Sequence, residues 1–504
     1  MHLALRTEII SAVRSGDLPR AVLAAQSVLD GGGGYDGYRL LVGALLDAGK
    51  PDIAAGFFGV LRQALPADAE IAFGSGLALR GSGNLAAAVG EWRAALDLSP
   101  GYKDACRNLA MGLVDLGRDE EAAPVLARLA ALAPKDPAVP LHLGNIAQRR
   151  GDWAEAAARY RAALALDGEN AEAWTNLGEA ERIAGHADDA EASLRRAIGL
   201  APGSHQAHFN LAGLLLEQER WREGFAEFQW RRNLDKVPPP LAALPDWTPD
   251  AGPDARVALW NDQGLGDGML FLRYARQLRA RAAQVTAVVQ PALVRLAAGV
   301  AGIDGALMPA QPLPRFTHRV ALASLPHLLG GEAPPWDGPY LTAAASGKGG
   351  LRRVGLVWAA SVDSPNGRQR SLPLAALAPL AEIAGLEWHS LQLGPAVAEI
   401  GAGPWRGIVR DHSAELSDLA ATASVAAGLD LVISVDTSVA HLACGLGLPS
   451  WLLLTRHCDW RWRREGESSP WYPTARLFRQ PAPGDWAGVV EAVAARLADF
   501  QDNP

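Results

Sequence analysis

Apolar positions in the first half of the chain recur every 34 residues. Four leucines keep this spacing: Leu109, Leu143, Leu177 and Leu211. A second series of prolines, with one glycine among them, keeps it too: Pro66, Pro100, Pro134, Gly168 and Pro202. The sequence between these positions favours helix, so each 34-residue unit is predicted to be a pair of antiparallel helices.

Small and large side chains occupy different places within each unit. We expect the small ones to let two helices approach closely: Gly144, Gly178, Ala156 and Ala190. The large ones are expected to fill the space toward the next unit: Trp92, Tyr160 and Leu194. One helix pair cannot bury both of its faces, so neighbouring units must stack into a solenoid.

This pattern resembles the tetratricopeptide repeat (TPR), and about six or seven units fit into residues 1–236. The first unit is degenerate, and the glycine-rich run at 31–37 is expected to distort its junction. A TPR array offers a curved groove for a protein or peptide. The alternative is an array that serves only for structure or dimerisation.

Short apolar runs alternate with helical segments in the second half. Residues 236–256 contain six prolines, which stop a helix, so 237–256 is predicted to be a linker. Strands are predicted at 256–261, 284–290, 318–325, 352–360, 386–393, 429–436 and 449–454. Helices are predicted at 269–281, 291–299, 415–427, 437–446 and 485–500. This alternation predicts parallel sheets covered by helices.

A glycine-rich break at 346–350 divides this half into two Rossmann-like domains, 257–347 and 348–504. Two such domains that face each other across a cleft form the GT-B arrangement, and we expect the last helix to pack across both. The predicted fold is therefore an α-solenoid (TPR) followed by an α/β GT-B fold. Ligands of such sheets bind where strand carboxyl ends meet helix N-termini.

Charge, cysteine content and the lengths of the apolar runs limit the partners, bound metals and location that we expect for the protein. A net charge of -8 argues against a nucleic-acid partner. Cys106, Cys444 and Cys458 are too scattered for a disulfide framework or a zinc site. No apolar run approaches the ~18 residues of a membrane span, and the first residues lack the features of a secretory signal. We therefore expect a cytoplasmic protein.

The first chemical position is the turn 263–268, directly after the first predicted strand. Backbone amides at a helix N-terminus favour an anion, and Gly264 and Gly266 permit its close approach. Asp267 can face the cleft and accept a proton from an acceptor hydroxyl. The alternative is a first-turn acid that only stabilises the helix.

The second position follows an apolar strand that ends at Asp436. Thr437 and Ser438 begin the next helix, where hydroxyls and free amides can hold a phosphate. His441 lies four residues after Thr437 and therefore on the same helical face. The alternatives are capping residues and a solvent-facing histidine.

Two arginine-containing segments complete the candidates. In the loop 366–371, Arg368 and Arg370, next to Ser371, can neutralise the departing nucleotide phosphate; the alternative is an exposed arginine loop. Segment 456–479 mixes six arginines with three tryptophans and a tyrosine. It suits a sugar or nucleobase with its phosphate, and equally a wall that packs the solenoid on the catalytic module. No metal-binding spacing appears, so no metal is predicted.

The GLGD turn, the Arg-Ser loop and the segment DTSVAHLACGLG resemble the GT-B heptosyltransferases that use ADP-heptose to build lipopolysaccharide. The resemblance implies that Asp267 is the base and that Arg370 holds the diphosphate. It also implies a nucleotide cradle formed by Asp436, Thr437, Ser438 and His441. It places the acceptor in 257–347 and the nucleotide sugar in 348–504. That family often has lysine where this chain has Arg370, and it lacks a TPR array.

The chain as a whole is similar to bacterial TPR-fused glycosyltransferases, including the flagellin glycosyltransferases, and in plan to O-GlcNAc transferase. This resemblance implies metal-independent, inverting transfer of a sugar to Ser/Thr hydroxyls of a protein that the TPR array recruits, with flagellin as the expected partner. The co-substrate is a nucleotide sugar, in the flagellin group a CMP-nonulosonic acid, and no other cofactor is expected. The alternatives are lipopolysaccharide or other glycan elongation, and a non-catalytic TPR adaptor whose second half only senses a nucleotide sugar.

Overall fold

The computed structural model describes residues 3–231, 236–331, 336–344, 350–362, 364 and 366–502. The chain forms two compact units, and the division falls after Pro202. Within the described ranges, no helix is both long and apolar enough to cross a membrane.

The first unit is a succession of paired helices, as the 34-residue period predicts. Their bounds are Leu3–Ser15 (α1), Leu18–Val28 (α2), Asp36–Asp47 (α3), Pro51–Ala64 (α4), Ala69–Gly81 (α5), Leu85–Leu98 (α6), Lys103–Asp115 (α7), Asp119–Leu132 (α8), Ala138–Arg149 (α9), Trp153–Leu166 (α10), Ala171–Ala184 (α11) and Ala187–Leu200 (α12).

Glycines in the first helix of a pair admit large side chains from the second. A methyl group at Gly144 would lie 2.5 Å from Cε1 of Tyr160, which is far inside van der Waals contact. Trp92 fits in the same way between Gly76 of its own pair and Gly112 of the next. The glycines therefore make room for large side chains, as predicted. Trp92 also reaches the next pair, as expected, whereas Tyr160 packs on the glycine of its own pair.

The turns between paired helices repeat in backbone conformation as well. Glycines with positive φ stand 34 residues apart: Gly49, Gly83, Gly117, Gly151 and Gly185. Glycine adopts this left-handed conformation without the steric cost that other residues meet. In the glycine-rich run near the start, Leu29–Gly33 form a π-helical turn, and Gly32 and Gly34 have φ values of 78° and 57°. The expected distortion of the first junction is therefore confirmed.

The second unit begins with one more helix pair, His205–Glu217 (α13) and Trp221–Glu227 (α14). Phe225 and Phe228 pack on Trp460 of the α/β part with ring centroids 6.0 Å and 6.4 Å apart. Phe225 also lies edge-on to Trp471 at 6.2 Å. This aromatic contact explains why the division of the chain lies at Pro202 and not near residue 236, where the repeat pattern ends.

The proline-rich segment after the last pair lies against the first sheet. Leu241 and Trp247 are buried, and the backbone N–H of Trp247 donates to the carbonyl oxygen of Arg319 at 2.7 Å. The prolines therefore end the helical pattern, as predicted, but 237–256 is not a free linker. Its apolar side chains supply the packing that a linker would lack.

Two parallel sheets form the rest of the unit, in the orders β3-β2-β1-β4 and β10-β9-β8-β5-β6-β7. The strands are Arg256–Trp260 (β1), Gln284–Val288 (β2), Gly305–Leu307 (β3), His318–Ala321 (β4), Arg352–Val357 (β5), Leu386–Ser390 (β6), Val409–Asp411 (β7), Leu431–Val435 (β8), Ser450–Leu454 (β9) and Ala475–Arg479 (β10). The helices are Leu265–Leu272 (α15), Ala275–Arg279 (α16), Pro291–Ala297 (α17), Leu325–Leu328 (α18), Ala378–Ala381 (α19), Leu419–Ala426 (α20), Ser438–Gly445 (α21) and Trp486–Asp502 (α22). A parallel α/β fold is thus present, as the alternation of elements predicts.

Some details differ from the sequence-based expectation. Helix α15 begins at Leu265 rather than at 269, which places Asp267 in its first turn. Strands β3, β7 and β10 were not predicted. All three lie at a sheet edge, β3 and β7 have only three residues each, and β10 includes two arginines among its five residues. The expectation that the last helix packs across both domains is wrong. The buried residues of α22 belong to the core of the second sheet alone: Val489, Val490, Val493 and Leu497.

Candidate functional site

The carboxyl ends of both sheets open onto one cavity of about 1170 Å³. Its walls come from the turns that follow β1, β5, β6, β8 and β9. Every site residue predicted from the sequence lines this cavity: Gly264, Gly266, Asp267, Arg368, Arg370, Ser371, Asp436, Thr437, Ser438 and His441. Parallel strands bring their carboxyl ends to one edge of a sheet, which explains how residues so distant in sequence meet.

The turn after β1 carries the candidate base. Gly264 is the N-cap of α15 and has no side chain to cap the helix, and a hydrogen bond from the Gly264 backbone lowers the pKa of Asp267 in the first turn. A methyl group at Gly266 would lie 2.6 Å from Cδ2 of His441. Gly266 therefore lets α15 approach α21, a packing role that the sequence analysis did not foresee.

Asp267 forms an ion pair with Arg461, from the turn after β9. Arg461 also pairs with Asp459 and stacks on the ring of Trp460, 4.2 Å from its centroid. Burial raises the pKa of Asp267, Arg461 opposes this, and Asp459 and Asp436 raise it further. The side chain of Asp267 remains 25% exposed and lines the cavity. A carboxylate with these properties can accept a proton from a bound hydroxyl.

The turn between β8 and α21 forms another part of the cavity wall. Thr437 is the N-cap of α21, but its hydroxyl contacts the hydroxyl of Ser434 at 3.0 Å and does not cap the helix. The amides at the start of α21, beginning with Ser438, therefore lack a side-chain cap. Burial raises the pKa of Asp436, and the nearby Arg370 opposes that rise.

The arginine loop brings its cations to the same place. Nη1 of Arg370 donates to the backbone oxygen of Asp436 at 3.1 Å and to its Oδ2 at 3.3 Å. Nη2 of Arg370 donates to Oγ of Ser364 at 2.6 Å. Arg368 is exposed at the cavity. The start of α21 and the guanidinium groups of Arg368 and Arg370 therefore border a part of the cavity that suits an anion.

Ser371 has a structural role within this loop. Its hydroxyl accepts from the backbone N–H of Ala360 at 2.9 Å and donates to the carbonyl oxygen of Gly367 at 2.7 Å. Gln392 holds the strand end beside it, since its Oε1 accepts from the N–H groups of Trp358 and Ala359. These bonds hold the loop in the shape that places Arg370 at the cavity.

His441 is buried, so the alternative of a solvent-facing histidine is wrong. Burial, followed by the charges of Arg461, Arg273 and Arg370, holds its pKa well below the usual value. The imidazole is therefore neutral at physiological pH. Its Nδ1 lies 3.0 Å from the hydroxyl of Tyr472.

Segment 456–479, for which the sequence left two uses open, has residues both at the packing contact with the last helix pair and at the cavity. Trp460 and Trp471 pack on the helix pair α13–α14, as described above. Arg461 and Trp462 instead line the cavity, together with Asp459. The sequence analysis named the segment but did not select these three residues, because the mixture of arginines and tryptophans does not show which side chains face the cavity. In the described part of the chain, no three His, Cys, Asp or Glu side chains are grouped to hold a metal ion.

The matches to known family models lie in the N-terminal part of the chain. Family models for the tetratricopeptide repeat match residues 39–103, 79–140, 141–205 and 184–229. The helix pairs within residues 39–229 are tetratricopeptide repeats. This finding confirms the predicted TPR solenoid, and it supports protein binding through the TPR array, because stacked repeats form extended concave surfaces for partners.

Individual relatives extend this picture. The chain is 26% identical to Protein FlbA of Caulobacter vibrioides over 446 residues, which cover 80% of this chain and 74% of that protein. Because this match is longer than the TPR region, it includes part of the α/β unit. Tetratricopeptide repeat protein 8 of Mus musculus is 41% identical over 71 residues, 14% of each protein.

Two solved structures are similar to part of the chain. The Cut9–Hcn1 hetero-tetramer of APC/C has a TM-score of 0.37 and 20% identity, over 45% of each chain. A tetratricopeptide repeat protein from Parabacteroides merdae has a TM-score of 0.38 and 13% identity, over 45% of this chain and 90% of that one.

Proposed function

We propose that this protein is a metal-independent, inverting glycosyltransferase of GT-B type that uses a nucleotide-activated sugar. The observation that carries the proposal is the single cavity that joins Asp267 on one wall to Arg370 and the start of α21 on another. One proton acceptor and one anion-binding wall are the two functions that inverting transfer requires.

In the proposed reaction, Asp267 accepts a proton, and Arg370 with the start of α21 stabilises the leaving group. The acceptor hydroxyl attacks the anomeric carbon of the sugar, and its proton passes to the carboxylate of Asp267. The bond between the anomeric carbon and the phosphate oxygen breaks, and the nucleotide leaves with the electron pair. Arg370 and the amides at the start of α21 stabilise the negative charge that grows on this phosphate.

The acceptor in this proposal is a Ser/Thr hydroxyl of a protein that the TPR array recruits. The presence of TPR repeats supports a protein partner, and Asp267 has the chemistry to activate a hydroxyl. Flagellin is the first acceptor to test, and a CMP-nonulosonic acid is the first donor, because the sequence resembles TPR-fused flagellin glycosyltransferases.

The donor site is tested by calorimetric titration of the full chain with CMP, UDP, GDP and ADP. We expect one nucleotide to bind selectively and Arg370→Ala to lose that binding. Arg410→Ala is the matched control, because Arg410 is exposed on β7 and does not line the cavity. Failure of all four nucleotides to bind would refute the enzyme proposal and favour a TPR adaptor.

The base is tested separately with Asp267→Asn. Loss of a general base lowers turnover by about 10²- to 10⁴-fold. Nucleotide binding should be nearly unchanged, because Asp267 lies on the acceptor wall. Turnover within a few-fold of the native enzyme would remove Asp267 from the mechanism.

A further inference from the structure

Of the two ring nitrogens of His441, Nδ1 has a hydrogen-bond partner, and Nε2 has none among the described residues. Its Nδ1 lies 3.0 Å from the hydroxyl of Tyr472, and its ring contacts Trp462 with centroids 5.1 Å apart. No described residue forms a hydrogen bond with Nε2. Gly266 packs against the Cδ2–Nε2 edge of the ring, and only the absence of a side chain there keeps this edge uncovered, since a methyl group would lie 3.2 Å from Nε2. Both residues line the cavity. Nε2 is therefore the nitrogen available to a bound ligand.

A chain of hydrogen bonds continues behind Nδ1. The hydroxyl of Tyr472 lies 3.3 Å from that of Tyr340, and Nη2 of Arg273 lies 3.4 Å from the Tyr340 oxygen. Arg273 is fixed in place, because Nη1 donates to the carbonyl oxygen of Trp471 at 2.9 Å. Its guanidinium also stacks over the rings of Tyr340 and Tyr472, 4.8 Å from each centroid.

The chemistry of Arg273 favours one direction for this chain. A guanidinium can donate but cannot accept a hydrogen bond, so the Tyr340 oxygen must accept from it. If each hydroxyl then donates once, Tyr340 donates to Tyr472, and Tyr472 donates to Nδ1 of His441. In a neutral imidazole, a nitrogen that accepts leaves the proton on the other nitrogen.

We propose that Arg273, Tyr340 and Tyr472 form a relay that holds His441 as the tautomer with its proton on Nε2, presenting a fixed N–H donor to the cavity. The buried position of His441 and the neighbouring cations keep its pKa low, which is consistent with one permanent tautomer rather than an imidazolium. Arg273, Tyr340 and Tyr472 are positioning residues, since they act through His441.

This donor would complement the charged groups of the site. Arg370 attracts an anion at long range, whereas a neutral N–H in a buried setting offers one directed hydrogen bond. Its natural acceptor is a phosphate oxygen of a nucleotide. The identity of the ligand rests on the proposed function, but the tautomer does not, because the relay consists of the protein's own groups.

The tautomer is measured directly on the full chain labelled with ¹⁵N-histidine. Long-range ¹H–¹⁵N spectra distinguish a protonated ring nitrogen from an unprotonated one, and His441→Asn identifies the signal among the 11 histidines. We expect Nε2 to carry the proton and Nδ1 to be unprotonated across neutral pH. A proton on Nδ1, or an imidazolium at neutral pH, would overturn the proposal.

Two variants test the relay itself. Tyr472→Phe removes the donor to Nδ1 and should give a mixture of tautomers, and Tyr340→Phe should have a smaller effect in the same direction. The second variant keeps the test decisive if the first does not fold. Tyr160→Phe is the matched control, since it is also a buried tyrosine and its hydroxyl bonds to Asn145 and Gln148 in the first unit. If both relay variants leave the Nε2–H tautomer unchanged, the relay does not set it.

A nucleotide titration of the same labelled protein separates this inference from the proposed function. We expect the Nε2 signal to shift when CMP, UDP, GDP or ADP binds. The Nε2–H tautomer without any nucleotide binding would support the relay and contradict the enzyme proposal. Nucleotide binding that leaves the Nε2 signal unmoved would contradict the role of His441 as a ligand donor.

Discussion

Among single residues, Asp267 shows how opposing neighbours set the ionisation of a candidate base. Burial and the carboxylates of Asp459 and Asp436 raise its pKa, while the guanidinium of Arg461 lowers it. The same guanidinium is held by Asp459 and by the ring of Trp460. Arg461 is therefore fixed independently of Asp267 and can act as a constant charge beside it.

Substitution of Arg461 should change the pH dependence of activity. Arg461→Gln removes the cation that lowers the pKa of Asp267, so that pKa should rise. The base works only when ionised, and activity falls as pH decreases through its pKa. The acidic limb of the kcat/KM profile should therefore move to higher pH.

Arg461→Lys serves as the control for this effect, because it keeps the positive charge while losing the planar guanidinium. Its acidic limb should move less than that of Arg461→Gln. Equal shifts in both variants would mean that shape, not charge, is what Arg461 contributes. An unchanged limb in Arg461→Gln would show that Arg461 does not control the base.

Between elements, a buried ion pair ties the end of the last helix pair to the turn before α15. Nε of Arg231 lies 2.6 Å from Oδ2 of Asp262, and the two side chains are 2% and 0% exposed. Arg231 also donates to the carbonyl oxygen of Phe228 and to Oγ of Ser324. Asp262 lies between β1 and α15, so this pair fixes the turn that leads to Asp267.

Arg231→Ala should destabilise the second unit by about 3–5 kcal/mol, because it leaves a buried carboxylate without its partner. Arg295→Ala is the matched control, since Arg295 is 66% exposed in its ion pair with Asp418. An exposed pair contributes about 0–1 kcal/mol. Urea unfolding measures both variants, and equal small losses would show that the Arg231–Asp262 pair does not stabilise the unit.

For the whole molecule, the two compact units have different interiors. In the first unit, the interior forms where large side chains pack on glycines between the helices. In the second unit, it consists of the hydrophobic cores of two parallel sheets. The described residues that line the cavity all belong to the second unit. Binding stabilises the folded state of the part that holds the ligand.

We expect calorimetry of the full chain to show two unfolding transitions. The nucleotide identified in the donor screen should raise the unfolding temperature of residues 203–504 only. At a hundredfold excess of free nucleotide over Kd, the free energy of unfolding of this unit should increase by about 2.7 kcal/mol. Gly144→Val should lower only the other transition, because the added side chain overlaps Tyr160 and overpacking costs about 1–3 kcal/mol. A single transition that moves as a whole in both experiments would contradict this independence.

The sequence by itself determined what depends on local order. The 34-residue period located the paired helices and their glycine turns, because each repeat packs mainly on its neighbours. Apolar runs located the longer strands, and the turns after them supplied Asp267, Arg370 and the start of α21. Because parallel strands have their carboxyl ends at the same edge of a sheet, these residues could be expected to lie at that edge.

Only the tertiary structure decided which side chains share a contact across the sheets. No local pattern pairs Arg461 with Asp267, places His441 against Gly266, or links Tyr472 to Tyr340. These contacts join segments that are far apart in the chain, and they depend on how two sheets and a helix pair pack together. Contacts between such distant segments depend on which side chains fill the interior of the whole unit. The order of apolar and polar residues along the chain does not contain this information.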